Sequence, residues 1–308
     1  MEDRLAYWWF RHSAELALHV KKATAFQDHF NDVMEAVYGS DFIRVRPAGK
    51  DGDRKCDGYQ QSTDTVFQVY APSRVDLAKW VKKIEEDFAG AKAQWSSMRS
   101  WIFVHNQHDG LPPDTVQTLQ KIKTANPALV IDQWSPTHLL ELTVDLSEER
   151  LIRVFGNPPR ERYMRVLDRG DVADAVAGLA LHSGSWTSDA VDLPVVDPGK
   201  LDYNELTEYP RRMIMAGIAQ ARMVEGYFDH NPDPTLRDRV GMLMRAEWLR
   251  LQHRGMSGDE AFAFLYDRVA AHAQGSREAT ASLALLAFLF ESCDIFDNPP
   301  ADWSGTAA

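Results

Sequence analysis

The hydrophobic pattern changes character halfway along the chain. Over the first 22 residues Leu5, Trp8, Trp9, Leu16 and Val20 are spaced to share one side of a helix. A second helix is predicted from Thr24, a good N-cap residue, to Tyr38, with Phe26, Phe30, Val33 and Val37 facing a core. Gln27, Asn31 and Glu35 form a polar stripe at four-residue steps on a different side. Gly39 ends that helix, and Asp41–Pro47 reads as a short strand through Phe42 and Val45. Gly49, Gly52 and Gly58 punctuate a turn-rich connection around Cys56–Tyr59. Thr65–Tyr70 is strongly β-prone and Pro72 stops it. Ser73 caps an amphipathic helix to Met98, whose inner stripe is Leu77, Trp80, Ile84 and Phe88. Ser100–His105 is an apolar strand, a helix follows over 112–123 behind Pro112–Pro113, and a strand covers 128–132. Helices alternating with buried strands make 24–145 an α/β domain with a central, partly parallel sheet.

No strand pattern continues beyond Phe155. Gly156-Asn157-Pro158-Pro159 predicts a boundary between an α/β domain with its N-terminal helix (1–155) and an all-α module (156–308). Ser183–Lys200, rich in Ser, Asp, Pro and Gly, reads as a loop or linker. Helices are predicted at 202–230, 234–253, 258–273 and 276–292, with Ser257-Gly258-Asp259 as a cap signal. Leu283–Phe290 is too apolar for a surface helix and predicts burial within the module or against a partner.

Composition narrows the class. A length of 308 residues accommodates two domains, each able to bury a core. With 44% hydrophobic and 26% charged residues the chain is that of an ordinary soluble protein. No run of 18 apolar residues predicts a membrane span, and the charged, aromatic start is not a secretory signal. Cys56 and Cys293, far apart and without metal-ligand spacing, argue against a disulfide framework or a zinc site and fit a cytoplasmic location. The net charge of −11 argues against a strong stand-alone DNA binder, because phosphate neutralisation needs a basic face, and weakly for action with a partner. A nucleotide-responsive regulator is disfavoured by the lack of a phosphate-cradling glycine loop before a helix.

The candidate chemistry lies in one hairpin. Asp57 stands at the start of a short strand, and Gln68 and Tyr70 share one face of the next because side chains alternate. A hard ion such as Mg²⁺ takes oxygen ligands, so Asp57 would anchor it and the Gln68 side-chain oxygen would be a neutral second ligand. Glu35 on the preceding helix could add an acid, with Gln27 or Asn31 as alternatives for that place. Asp-Gly is also ordinary turn chemistry, Asp53 reads as shaping the glycine turn, and a glutamine in a strand commonly just faces solvent. His105-Asn106-Gln107-His108 reads as a polar loop after a buried strand, and Arg211-Arg212 as surface.

Residues 24–105 resemble the PD-(D/E)xK nuclease core. Phe26…Gly39, Gly52-Asp53…Asp57-Gly58 and Gln68-x-Tyr70 are most similar to its Mrr-like restriction endonuclease branch. The resemblance implies a restriction-endonuclease-like mixed sheet flanked by helices. It implies Mg²⁺ held by Asp57 and Gln68, a catalytic set of Asp57, Gln68, Tyr70 and Glu35, and DNA phosphodiesters as substrate. Tyr70 departs from the pattern, which has lysine there. A phenol can hydrogen-bond but carries no positive charge. The implied function therefore divides between a nuclease effector, with Lys55, Lys79, Lys82 or Lys83 as a migrated cation, and an inactive scaffold or nucleic-acid-sensing subunit. The segment Leu283–Asp297 resembles the C-terminal helical module of bacterial ABC-three-component antiphage defence proteins. That resemblance implies docking onto an ATPase or other protein subunit and leaves homo-oligomerisation open.

Overall fold

The computed structural model describes residues 2–46, 55–74, 76–179, 199–292 and 294–303. Gly49, Gly52, Asp53, Cys293, most of the 183–200 linker and the side chain of Leu77 lie outside the described residues. The chain divides into one unit of Ala17–Val154 and another of Met1–Leu16 with Phe155–Ala308. The division falls inside the first helix, α1 (Arg4–Val20).

In the Ala17–Val154 unit, five strands lie in chain order in one sheet. They are β1 (Phe42–Arg44), β2 (Gly58–Gln60), β3 (Thr65–Tyr70), β4 (Ser100–His105) and β5 (Val130–Trp134). The pairs β1–β2 and β2–β3 are antiparallel, whereas β3–β4 and β4–β5 are parallel. The parallel steps need crossovers, supplied by α3 (Leu77–Gln94) and α4 (Pro113–Ala125). Trp80, Ile84 and Phe88 of α3 and Leu119 of α4 cover the face that carries Val66, Trp101, Phe103 and Ile131. The opposite face, with Phe67, Val69, Ile102 and Val104, packs against Phe26, Phe30 and Met34 of α2 (Ala23–Tyr38) and Leu139 of α5 (Pro136–Val144). Burial on both faces explains why β3 and β4 read as nearly continuous apolar runs. At Gly58 an added Cβ would lie 2.4 Å from the Phe42 ring, so this glycine admits that ring to the core. α6 (Glu148–Phe155) ends the unit.

The second unit contains α7 (Glu161–Met164), α8 (Arg169–Gly178), α9 (Lys200–Tyr203), α10 (Glu208–Ile218) and α11 (Ala221–Asp229). It continues with α12 (Leu236–His253), α13 (Gly258–Val269) and α14 (Ser276–Glu291), and has no strand among its described residues. Every residue of α14 from Ala279 to Phe290 is buried, with α7, α8, α10, α11 and α13 packed around it. Full burial of a Leu or Phe stabilises by about 1.5–3 kcal/mol, so this helix dominates the unit's core. Its contact with α10 is close: a Cβ on Gly217 would lie 2.5 Å from Ala287 Cβ and 2.9 Å from the Leu283 carbonyl oxygen. Beyond α14, Asp297 accepts from Arg245 at 2.7 Å, Gln252 at 2.6 Å and Trp248 Nε1 at 3.4 Å, which ties the end of α14 to α12. Burial pushes the Asp297 carboxyl up, but Arg245, Gln252 and Trp248 outweigh it and hold the group below the usual range.

Several boundaries differ from the sequence expectation. Thr24 does not cap α2; Lys22 stands at that position and makes no side-chain cap. α3 starts at Leu77 rather than Ser73, because Asp76 accepts the Lys79 N–H that needs a partner. The continuous helix expected over 202–230 is three helices. Glu205 adopts a left-handed φ of 53° that interrupts the first, and Pro210 is accommodated in the first turn of the next. On α1, Val20 is exposed, and Leu5, Ala6, Trp9 and Phe10 are among its buried residues.

Candidate functional site

Asp57 sits where two strands part. Its backbone N–H donates to the Phe67 carbonyl at 2.8 Å, continuing the β2–β3 ladder by one residue. β3 runs on to Tyr70 while β2 begins only at Gly58, so the Val69 N–H on that side has no strand partner. The Asp57 carboxylate replaces the missing strand: Oδ2 accepts from Val69 N at 2.7 Å. The same oxygen accepts from Gln68 Nε2 at 2.7 Å, and Oδ1 accepts from Gln27 Nε2 at 2.6 Å. Asp57 is 4% exposed and Gln68 2%. A buried carboxylate needs such donors, and three N–H groups meet that need.

Asp57 and Gln68 are thus brought together as the sequence anticipated, but the other two members of the expected set stand apart from them. Glu35 turns outward and pairs with Arg44, whose Nη2 donates to Glu35 Oε2 at 2.8 Å and to Asp32 Oδ1 at 2.5 Å. Gln27 occupies the place anticipated for an acid on α2. Gln27 was one of the alternatives the sequence offered for that place, and the rotation of α2 against the sheet selects it. Tyr70 packs edge-on against Trp80 with ring centroids 4.9 Å apart, and contacts Phe103. Burial raises its phenol, opposed by the charge of Lys79.

The four lysines considered as a migrated cation are engaged elsewhere. Lys55 and Lys83 approach the fully buried Asp87 carboxylate at 3.0 and 2.7 Å. Lys79 pairs with Asp76 at 3.0 Å and Lys82 with Glu86 at 3.7 Å. Among the described residues no three of His, Cys, Asp and Glu come together in a way that could hold a metal. With both Asp57 oxygens already accepting from N–H groups, the described donor set does not fit a Mg²⁺ centre, which wants free carboxylate oxygen. Gln68 Oε1 and, on α2, Asn31 Oδ1 are among the buried acceptors without a hydrogen-bond partner in the described residues. What this arrangement does without an ion is join α2, β2 and β3 through one carboxylate.

The remaining sequence candidates resolve as follows. His105 ends β4, fully buried, as part of a polar relay to β5. Arg211 pairs with Asp202, while Arg212 pairs with Glu208 and lies 5.3 Å from the centre of the Trp8 ring. No helix of the described residues is long and apolar enough to cross a membrane.

The chain therefore pairs a mixed α/β unit, whose buried Asp57 carboxylate accepts from three N–H groups, with a unit made of helices. Residues 171–297, within the helical unit, match the family model of C-terminal domain 10 of the ABC-three component (ABC-3C) systems. The match supports the resemblance drawn from Leu283–Asp297, whereas the comparisons give no support to the PD-(D/E)xK resemblance of residues 24–105. Searches of curated proteins and of solved structures found no match.

Proposed function

We propose that the chain is a protein-docking subunit of a bacterial ABC-three-component antiphage defence assembly, with a restriction-endonuclease-like α/β unit that does not hydrolyse DNA. The observation that carries this reading is the Asp57 carboxylate, which accepts from Gln27, Gln68 and Val69 while Tyr70 packs into an aromatic cluster. A working two-strand metal clamp needs that carboxylate for the ion and a cation beside it. The fold part of the reading is supported by the succession α2, β1–β2–β3, α3, β4, the order the resemblance implied.

Charge distribution favours a protein partner for the helical unit. Ala17–Val154 holds 17 Lys and Arg against 19 Asp and Glu, whereas the rest of the chain holds 17 against 26. An acidic surface suits a basic protein face and repels a phosphate backbone. The test is co-purification with the proteins of adjacent genes, an ATPase among them, followed by a DNA cleavage assay with Mg²⁺. A stable complex that forms equally well with Asp57→Asn and cuts nothing is expected. Failure of the full chain to join any of those proteins overturns the docking part.

A second reading, a Mg²⁺-dependent deoxyribonuclease effector, is favoured by one observation: Gln68 Oε1 is a buried acceptor without a partner beside Asp57. Asp57 and Gln68 would hold the ion only if Gln27 and Gln68 released the carboxylate from their N–H groups. Mg²⁺-dependent cleavage by the assembly that disappears with Asp57→Ala decides for this reading and against the first.

A further inference from the structure

A cleft of about 460 Å³ opens at the C-terminal ends of the parallel strands β4 and β5, on the sheet face covered by α4. Its size is in the range of small-molecule sites, and α/β proteins place ligands at this edge of the sheet. It is separate from the Asp57 hairpin, which contributes none of its lining.

The floor of this cleft has a fixed polarity. His105 Nδ1 accepts from the Gln107 backbone N–H at 3.2 Å, so the proton of the neutral ring is on Nε2. That N–H lies 2.6 Å from Gln133 Oε1 and donates to it. The Gln133 carbonyl is thereby held, and its NH₂ group remains as a donor that no described residue accepts from. A buried histidine thus orients a surface amide. Leu111, Leu119 and Ile131 supply apolar walls. The cleft is lined by the cation of Lys123, which has no ion pair among the described residues, and by the Asp132 carboxylate, whose Oδ1 accepts from the Gln133 backbone N–H at 2.8 Å. The first turn of α4 carries Asp114, which disfavours an anion there, so Lys123 supplies the charge.

We propose that this cleft binds a planar heteroaromatic ligand that carries one anionic group, of the size and chemistry of a nucleoside monophosphate. A ring slides between the apolar walls, a ring carbonyl or nitrogen accepts from the Gln133 amide, and the anion reaches Lys123. Nucleoside without phosphate keeps the ring contacts and loses the charge contact.

The experiment is calorimetric titration of the full chain with the adenosine, guanosine, cytidine and uridine monophosphates and their nucleosides, with saturation-transfer NMR for weak binding. At least one monophosphate saturates a single site. Lys123→Gln, a surface change that leaves the fold intact, weakens the monophosphate about tenfold, a change of about 1.4 kcal/mol, and leaves the nucleoside unchanged. Gln133→Leu weakens both, with the thermal transition recorded to confirm folding. Saturation by none of the eight compounds overturns the proposal, as does monophosphate binding that Lys123→Gln leaves untouched.

Discussion

Replacing Asp57 by alanine separates a structural carboxylate from a metal anchor. Asp57→Ala leaves three buried donors without their acceptor: Gln27 Nε2, Gln68 Nε2 and the Val69 N–H. Hydrogen bonds to a charged group contribute about 1.5–3 kcal/mol each, but they share one acceptor and do not add. The charge itself is removed together with its desolvation cost, so the net loss is about 3–4 kcal/mol, a large share of the 5–15 kcal/mol typical of a domain. Asp57→Asn keeps the shape and one acceptor oxygen and loses about half as much. The assay is urea unfolding of the full chain, together with amide hydrogen exchange at Val69, whose protection falls in step with the lost bond. Mg²⁺ provides the internal control. A bound ion at one hundred times its dissociation constant would stabilise the native protein by about 2.7 kcal/mol, whereas the hairpin as described predicts no shift with Mg²⁺. An Asp57→Ala midpoint equal to wild type, or a Mg²⁺ shift that Asp57→Ala abolishes, refutes the reasoning.

Other outcomes follow from the same contacts. His12, His29 and His105 are held neutral, each lowered by burial to about 4 against an ordinary 6.5. Their unfolded forms take up protons first, so stability present above about pH 6.5 is lost as pH falls towards 4, by up to about 3 kcal/mol per histidine. His105→Gln should flatten the unfolding-midpoint-versus-pH curve, and an unchanged slope counts against it. Gly217→Ala pushes α10 from α14 and costs about 1–3 kcal/mol, read in calorimetry as a melting decrease of about 2–4 °C per kcal/mol. Asp297→Asn weakens the link to Arg245 by about 0.5–1 kcal/mol, discounted for its partial exposure. That loss should shrink as pH falls below the ordinary carboxylate value of 3.8, because the unfolded chain then takes up the proton before the native one does.

Legibility differed by kind of signal. Periodicity and burial gave α14 and the buried strands β3 and β4 to within a residue or so, because a core dictates long, regular apolar patterns. Local rules did worse where two residues could serve: Ser73 and Asp76 are both good caps, and only packing selects Asp76. The joining of Asp57 to Gln68 was readable from strand alternation, since both lie on neighbouring strands. The partner on α2 was not, because choosing Gln27 over Glu35 depends on the rotation of the helix about its own axis. That rotation is set by Phe26, Phe30 and Met34 against the sheet. The engagement of Lys55 and Lys83 by Asp87 was also hidden: a buried aspartate on an amphipathic helix looks like any solvated one until the fold closes over it.

The burial of α14 has a consequence for synthesis. The five helices packed around it all precede it in the chain, so during translation each emerges with its apolar face uncovered. They pair only in part with one another until α14 leaves the ribosome, and the acidic surface they bear takes its final shape only then. A partner that recognises this shape would read a chain whose α14 has emerged, and would pass over earlier nascent forms.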